Sequence, residues 1–558
     1  MEYKELVKIY ERISETSKRL EKTKIISEFL KIASEEDLEK IVYLLNGRVF
    51  PSWDPRKIGF SSKLLIKAIS ASTGSSSQEI ETEMNKLGDL GDVTAKFSKK
   101  KTQKTLFSEV LTIKKVVENL RKLAELEGSG SVDRKIGYIA ELLSSASPNE
   151  AKYISRTVLE VLRIGIAEGI IRDSITQAFE VNGEDVDRAS NVLADYGEVA
   201  ILAKKNKLKG IKLKAGRPLK LMLAVLSKSI PEGFSAVGSP AALEFKYDGF
   251  RLQIHNDGKE IRLFTRNMEE VTKQFPDVVE NSKNFIKAKK YIVDCEVIGY
   301  DVKSKKYLPF QKISQRIKRK YDTEKIAKEF PVEINAFDLI SCDGKDLTET
   351  TFEDRRKQLE KIVKQTKKKI VLSELIITDD EKKVEKFFKN SLDAGHEGIM
   401  FKALDSPYRP GRYVGYMAKL KEVMDSLDLV IVKSEWGEGK RAKWLTSFTV
   451  ACKDGDDYLE VGKVSTGLKE KPEEGNLNSF ENITNELKKL IISEKGKEVK
   501  VKPKIVVEVS YEEIQESPTY SSGYALRFPR IIQIRYDKPL TEISLIDNVK
   551  TLYNSQNK

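Results

Sequence analysis

The spacing of apolar residues changes once along this chain, and no single packed layer accommodates both spacings. Over residues 3–30, 111–126 and 149–179 apolar side chains recur every three or four positions, which predicts amphipathic helices through about residue 200. From Pro218 onward they alternate with polar residues in short runs, which predicts strands. Between the two lies KKNKLKGIKLKAGRP (204–218), a basic stretch punctuated by Gly and Pro that reads as a linker.

Within the second region the strands expected are 243–245, 251–255, 260–265, 291–299, 334–340, 398–402 and 418–421. Asn256 and Gly258 sit in a hairpin turn signal between two of them. Helices are expected over 351–364 and 378–394, with Gly395 placed to end the second. This is a mixed α+β domain of about 200 residues. From residue 425 the runs LDLVIVKSE, SFTVACKD, YLEVGKVS, IVVEVSYEEI and PRIIQIRY are short and turn-separated, the pattern of a small all-β barrel, with a last helix expected over 540–553. The boundaries expected are therefore 1–215, 216–424 and 425–558.

Composition narrows the chemistry. At 558 residues with 40% apolar content the chain can bury several cores. There are 99 Lys and Arg against 86 Asp and Glu, a net charge of +13. That excess suits a polyanionic partner such as nucleic acid, and equally a lysine-rich proteome. Three scattered cysteines include no CxxC pair, which excludes cysteine-based zinc ribbons and a disulfide framework and points to a reducing compartment. Only two histidines are present, His255 and His396, so multi-histidine metal sites and Ser-His-Asp chemistry are disfavoured. The first residues, MEYKELVKIYERI, are charged and unlike a signal peptide, and no apolar run approaches the ~20 residues of a membrane span. Catalysis is left to Lys, Arg, carboxylates and a hard metal.

The segment EFKYDGFR (244–251) carries most of that chemistry. A lysine at the end of an apolar strand is half-buried, and burial frees an amine to act as a nucleophile. Gly249 lets backbone approach a phosphate, and Arg251 can fork onto phosphate oxygens. Alone, Lys-x-Asp-Gly is a pattern that arises often by chance. Here it is followed in order by LFTRN (263–267), VDCEV (293–297), NAFDL (335–339), EGIMFK (397–402) and AKLK (418–421).

This ordered set resembles the motifs of the nucleotidyltransferase superfamily of ATP-dependent DNA ligases, RNA ligases and mRNA capping enzymes. The flanks narrow the match. EAKYISRTVLEVLRIGIAEG (150–169) is similar to the helical signature of replicative ATP-dependent DNA ligases. PLKLMLA (218–224) resembles their lead into the catalytic domain, and YSSGYALRFPR (520–530) with RYDK (535–538) resembles their C-terminal motif. The resemblance spans nearly the whole chain and is strongest to the archaeal and eukaryotic replicative branch. It implies an all-α DNA-binding domain, an α+β nucleotidyltransferase (adenylation) domain and an all-β OB-fold domain.

The resemblance also implies roles. Lys246 attacks the α-phosphate of ATP and carries AMP. Glu244 reads the adenine amino group, Phe337 stacks on the base, and Arg251 and Arg266 hold phosphate and ribose. Glu296 and Glu397 suit Mg²⁺ (or Mn²⁺) or ribose, and Lys419 and Lys421, on one strand face, neutralise the triphosphate. Asp248 and Gly249 belong to the site without an assigned role. Arg412 matches the arginine that precedes the last catalytic motif only about one residue out of register, and Met417 stands where the family commonly has tryptophan. Arg156 and Arg163 are expected to face DNA, whereas His396 reads as a structural residue after a helix end.

One further segment, FSKKKTQKTLFSEVLT (97–112), resembles a sliding-clamp (PCNA) binding box with Gln103, Leu106 and Phe107 as its anchors; the alternative is the first turn of a helix burying both apolar residues. The partners implied are nicked duplex DNA and the clamp, with no membrane and a chain monomeric by itself. The compartment is the cytoplasm and nucleoid for a prokaryote, or the nucleus for a eukaryote. An RNA ligase or capping enzyme would leave the long helical region unexplained. A non-catalytic DNA-binding scaffold would not need Lys246, Glu296, Glu397 and Lys419 together.

Overall fold

The computed structural model describes residues 1–556 apart from 100–109, 309–312, 314, 318–321, 412–414, 423–425, 438–440 and 473–477. Two compact units divide it, Met1–Lys421 and Glu422–Lys558.

The first unit begins with α-helices from α1 (Tyr3–Ser14) to α12 (Tyr196–Lys204). Their starts are written locally. Ser34, Ser61, Ser76, Thr112, Ser147 and Asp195 each accept a backbone N–H as N-caps, and Ser76 and Ser147 complete capping boxes with Glu79 and Glu150. Their apolar faces, among them Tyr3, Leu6, Tyr10, Ile26, Leu30, Val117 and Ile154, form one continuous core.

Two stretches that read as long helices are broken. Residues 3–30 form α1 and then α2 (Arg19–Ile32). Residues 149–179 form α9 (Pro148–Val158) and α10 (Glu168–Phe179), joined by a loop in which Glu160, Arg163 and Gly165 all take positive φ. Lys22 of α2 holds that loop. Its Nζ donates to the Ile164 carbonyl at 2.5 Å and the Gly165 carbonyl at 3.3 Å. A Cβ at position 165 would lie 2.9 Å from the same Nζ, so the loop between the two helices is held by a contact 142 residues away that periodicity does not show.

Lys204 closes α12, and the rest of the expected linker, 205–218, is neither helix nor strand. Arg217 at its end pairs back with Glu198 at 2.7 Å, and Lys220 just beyond it pairs with Glu168 at 2.5 Å. Two sheets follow. The first has strand order β1-β11-β10-β2-β9, with β1 Val225–Ser227, β2 Ala241–Lys246, β9 Leu375–Thr378, β10 Gly398–Ala403 and β11 Met417–Lys421. The second runs β4-β3-β5-β6-β7, with β3 Phe250–Asn256, β4 Ile261–Thr265, β5 Tyr291–Gly299, β6 Val332–Cys342 and β7 Lys345–Asp346, and β8 (Ile370–Leu372) pairs with β6. The expected turn forms, with Asn256 Oδ1 accepting from Gly258 N at 2.9 Å. Thr351 caps the helix Phe352–Ile362, and Gly395, at φ +81°, follows the helix Glu381–Asp393.

The second unit is β-rich. β12 (Leu427–Trp436) bends through two register shifts, pairing with β13 (Leu445–Asp454) along one edge and with β17 (Val506–Ser510) and then β16 (Glu498–Val501) along the other. The unit also holds the helix Phe480–Lys488, which the sequence reading did not foresee. Ser479 caps it, and Phe480, Ile483 and Leu487 bury its apolar face. The last helix is Ile546–Gln556, shorter at its start than the 540–553 expected.

Gly398 sets how closely the central strands approach. It lies opposite both Lys246 and Lys421, at φ +142°, and a Cβ there would meet the Leu420 carbonyl oxygen at 2.2 Å. Gly398→Ala should therefore cost about 1–3 kcal/mol of stability, read from the chemical-denaturation midpoint at constant slope. A midpoint equal to wild type would show that the strands have slack.

Candidate active site

Three strands of the first sheet bring three charges to one point. β2 ends at Lys246, β11 ends at Lys421, and Glu397 immediately precedes β10 between them. Lys246 Nζ donates to Glu397 Oε2 at 2.5 Å, and Lys421 Nζ reaches the same oxygen at 2.7 Å. The backbone reinforces the pair, with Glu397 N donating to the Lys246 carbonyl at 2.8 Å. Burial works against ionising Glu397, but the two lysines outweigh it and hold its pKa below the usual carboxyl value. Lys419 shares the Lys421 face of β11, one pleat back.

The second sheet contributes Glu296 and Arg251, cross-strand partners on β5 and β3. Burial raises the Glu296 carboxyl to about 8, against the pull of Lys246 and Arg251. Gly249 is required beside it, because a Cβ there would lie 2.8 Å from Glu296 Cγ and 2.7 Å from the Val297 carbonyl oxygen. Asp248 lies in the turn from β2 to β3.

Arg251 is engaged by the protein itself. Its fork meets Asp294 at 3.0 and 2.7 Å, and Nη1 donates to the Met222 carbonyl at 3.0 Å. Tyr408 donates to the same Asp294 at 3.0 Å. The Arg251 guanidinium also lies 5.4 Å from the centre of the Phe337 ring. Glu244 is 2% exposed and likewise committed, with Arg356 Nη1 at 3.1 Å on one oxygen and Lys402 Nζ at 2.5 Å on the other. Lys402 lies 4.6 Å from the Phe337 ring centre and 4.7 Å from that of Phe352.

Sequence reasoning did not assign Asp294, Arg356, Lys402 or Tyr408. Asp294 was within reach, since it lies two residues from Glu296 in a quoted segment, whereas Lys402 closes a quoted segment at an odd offset from Glu397 and is placed beside Glu244 only by strand pairing. Arg356 follows Arg355 on a helix, and nothing in the local pattern says which of the two meets Glu244.

Other assigned residues lie apart. Arg266 follows β4 and lines a cavity of about 630 Å³ with Arg48, Arg56, Lys220 and Asn267, a cavity that Lys246 does not line. Arg156 was expected to face DNA. It is instead buried, with Asp89 at 3.1 Å and Asp92 at 3.2 Å, because a buried guanidinium must be paired. Arg163 pairs with the same Asp89 at 3.2 Å and keeps 28% of its side chain exposed. Arg412, Gln103, Leu106 and Phe107 lie outside the described residues. Among the described residues no cluster of three or more His, Cys, Asp or Glu is placed to hold a metal, and no helix is long and apolar enough to cross a membrane.

Known proteins give this arrangement a family. The chain matches the models described as DNA ligase N terminus over residues 2–176, ATP dependent DNA ligase domain over 221–421 and ATP dependent DNA ligase C terminal region over 441–538. It is 50% identical over 561 residues to a DNA ligase of Nanoarchaeum equitans, covering 100% of this chain and 99% of that protein. A DNA ligase of Thermococcus onnurineus is 42% identical over 563 residues, again covering 100% and 99%. The solved structure named "Pmar-Lig_PreS3" shares the fold at a TM-score of 0.59 with 16% identity, covering 95% of this chain and 99% of that one.

The site's own pH response is testable. The Glu296 carboxyl titrates near 8 when folded and near the ordinary 4.5 when unfolded, so the folded state binds the extra proton between those values. Stability from this group is full below pH 4.5 and is lost as pH rises through about 8. Glu296→Gln should remove that part of the slope, leaving the variant less pH-sensitive than wild type in denaturation from weakly acid to weakly alkaline buffer. Parallel curves would refute a protonated Glu296.

Proposed function

The chain belongs to the archaeal-type ATP-dependent DNA ligases, enzymes that seal nicks in DNA, and on that premise we propose that Lys246 is the residue that carries AMP. What supports this reading is one observation: Lys246 and Lys421 converge on a single oxygen of Glu397 at the ends of three adjacent strands. A nucleophilic amine must first shed a proton, and Lys246 Nζ sits within hydrogen-bonding reach of the Glu397 carboxylate.

The neutral Lys246 amine attacks the α-phosphorus of ATP. A P–N bond forms, the P–O bond to pyrophosphate breaks, and pyrophosphate leaves with its electron pair. The 5′-phosphate of the nick then displaces lysine and takes up AMP. The 3′-hydroxyl attacks that 5′-phosphorus, loses its proton and expels AMP, leaving a phosphodiester. Lys419 and Lys421 neutralise the triphosphate and Phe337 stacks on the base, while Glu244 accepts from its amino group and Arg251 and Arg266 hold ribose and phosphate on exchanging their present protein contacts for the nucleotide.

Glu397 and Glu296 fit a hard divalent cation, Mg²⁺ or Mn²⁺. The lysines keep the first anionic, and the second, raised to about 8 by burial, needs a nearby cation to ionise at neutral pH. Two carboxylates leave the remaining positions to water and substrate phosphates, and the ion would supply further neutralisation of the triphosphate.

The proposal extends to the domain division at 215/216 and 424/425, with the helical part gripping duplex DNA, and to service in replication, repair and recombination. The enzyme works as a monomer, in the cytoplasm and nucleoid of a prokaryotic cell. Gln103, Leu106 and Phe107 dock on a sliding clamp.

With α-labelled ATP and a divalent cation, label should stay on the denatured wild-type protein and be absent from Lys246→Ala. Lys246→Arg should be equally blank, because a guanidinium stays protonated. Persistent label in either variant would sink the assignment. For the clamp, Phe107→Ala should weaken binding by about 2 kcal/mol and leave thermal stability and clamp-free sealing near wild type. A loss of about 3–5 kcal/mol of stability would instead make Phe107 a core residue.

A further inference from the structure

Directly behind the charged cluster lies a layer of rings that no role accounts for. Side chains alternate along β2, so Glu244 and Lys246 face the site while Phe245 faces away, and Tyr247, just past the strand, sets its ring beside those of Phe245 and His396. His396 immediately precedes Glu397. The Tyr247 and His396 rings meet edge to face, with centroids 4.7 Å apart at 72°. Each residue is 8% exposed.

This pair is fixed from every side. Phe245 lies 5.6 Å from His396 and 4.6 Å from Phe387 of the helix Glu381–Asp393. Tyr307 stands 5.6 Å from His396 on the outer side. The Tyr247 hydroxyl accepts from Glu374 N at 3.0 Å, and His396 N donates to the Ser391 carbonyl at 3.0 Å. The charged groups around the layer are Glu374, Lys368, 3.5 Å from the Tyr307 ring centre, and Glu333, which accepts from the Tyr307 hydroxyl at 2.6 Å.

The geometry has a consequence for the reacting atoms. Lys246-Tyr247 and His396-Glu397 are two dipeptides on facing strands, joined in front by the 2.5 Å ion pair, in the plane by the 2.8 Å backbone bond, and behind by the ring pair. A rotation of either dipeptide that would part Lys246 from Glu397 must also break the ring contact. We infer that Tyr247 and His396 are positioning residues, a ring clamp that holds the Lys246 amine in register with Glu397 for attack on the nucleotide. This rests on the reading of Lys246 as the nucleophile.

The test is single-turnover self-adenylation of the full-length protein with α-labelled ATP, giving the rate at saturating ATP, the half-saturating ATP concentration and the pH profile of the rate. His396→Ala should lower the saturated rate about tenfold or more and move its pH profile, since small misplacements of a nucleophile cost that much, while half-saturation shifts by less than about threefold. His396→Phe, which restores a flat ring, should return the rate to within about threefold of wild type. Tyr247→Ala should match His396→Ala, and the double variant should be little worse than either, because the rings act as one unit. Should His396→Ala prove unfolded by circular dichroism, His396→Leu, which keeps the volume and loses the ring, takes its place.

A His396→Ala rate within about twofold of wild type would overturn the inference, as would a loss confined to half-saturation or a His396→Phe as slow as the alanine variant. Wild-type label that survives Lys246→Ala would defeat the nucleophile assignment itself, a result separable from all of these.

Discussion

Glu397 is the carboxylate on which the site's geometry hangs. Two ammonium groups approach one of its oxygens at 2.5 and 2.7 Å, an arrangement that holds only while β2, β10 and β11 stay in register. Partly burying charges is costly unless they are paired, and here two ammonium groups share one carboxylate. With Glu296 raised to about 8, the cluster near neutral pH sets one ionised carboxylate against two lysines, and Asp294 is already taken by Arg251. Positive charge gathered at these strand ends suits a polyanion.

Behind that surplus stands a set of fully paired buried charges. Arg251 with Asp294, Arg355 with Asp338 at 2.7 and 3.0 Å, and Glu244 between Arg356 and Lys402 tie strands to the helix Phe352–Ile362 and to the loop around Tyr408. Removing one member of such a pair strands the other in a low-dielectric interior, which is why these networks hold a site rigid. They also divide the labour. The inner pairs fix the walls, and the lysines paired to Glu397 at the strand ends are the partly exposed charges.

The helical part solves a similar problem around Asp89. This one carboxylate caps α6 (Leu90–Ser98) through Asp92 N and pairs with both Arg156 and Arg163. A Cβ at Gly91 would lie 2.8 Å from the Arg156 side chain, so the glycine admits the arginine. Of the two arginines in the helical signature, only Arg163 keeps a face toward solvent.

Much of this was legible in the chain itself. Helix starts follow from Ser, Thr and Asp caps, the strands from period-two alternation, and the hairpin at Asn256 from its turn residues, because each depends on neighbours a few positions away. The ordered segments around Lys246, Glu296, Glu397 and Lys421 are brought together by the fold, with Lys246 and Lys421 ending strands, Glu397 just before one and Glu296 within another. What the chain could not announce was every feature set by a distant partner. The break between α9 and α10 is held by Lys22 across 142 residues, Arg156 turns inward because Asp89 and Asp92 are there to receive it, and Arg356 rather than Arg355 meets Glu244. Tyr247 and His396 are ordinary aromatic residues in sequence and become a clamp only when two strands align. Local patterning fixes which face a side chain takes. Which group it meets there depends on long-range packing and on the requirement that buried charges find partners, and that requirement is met only once the whole unit has folded.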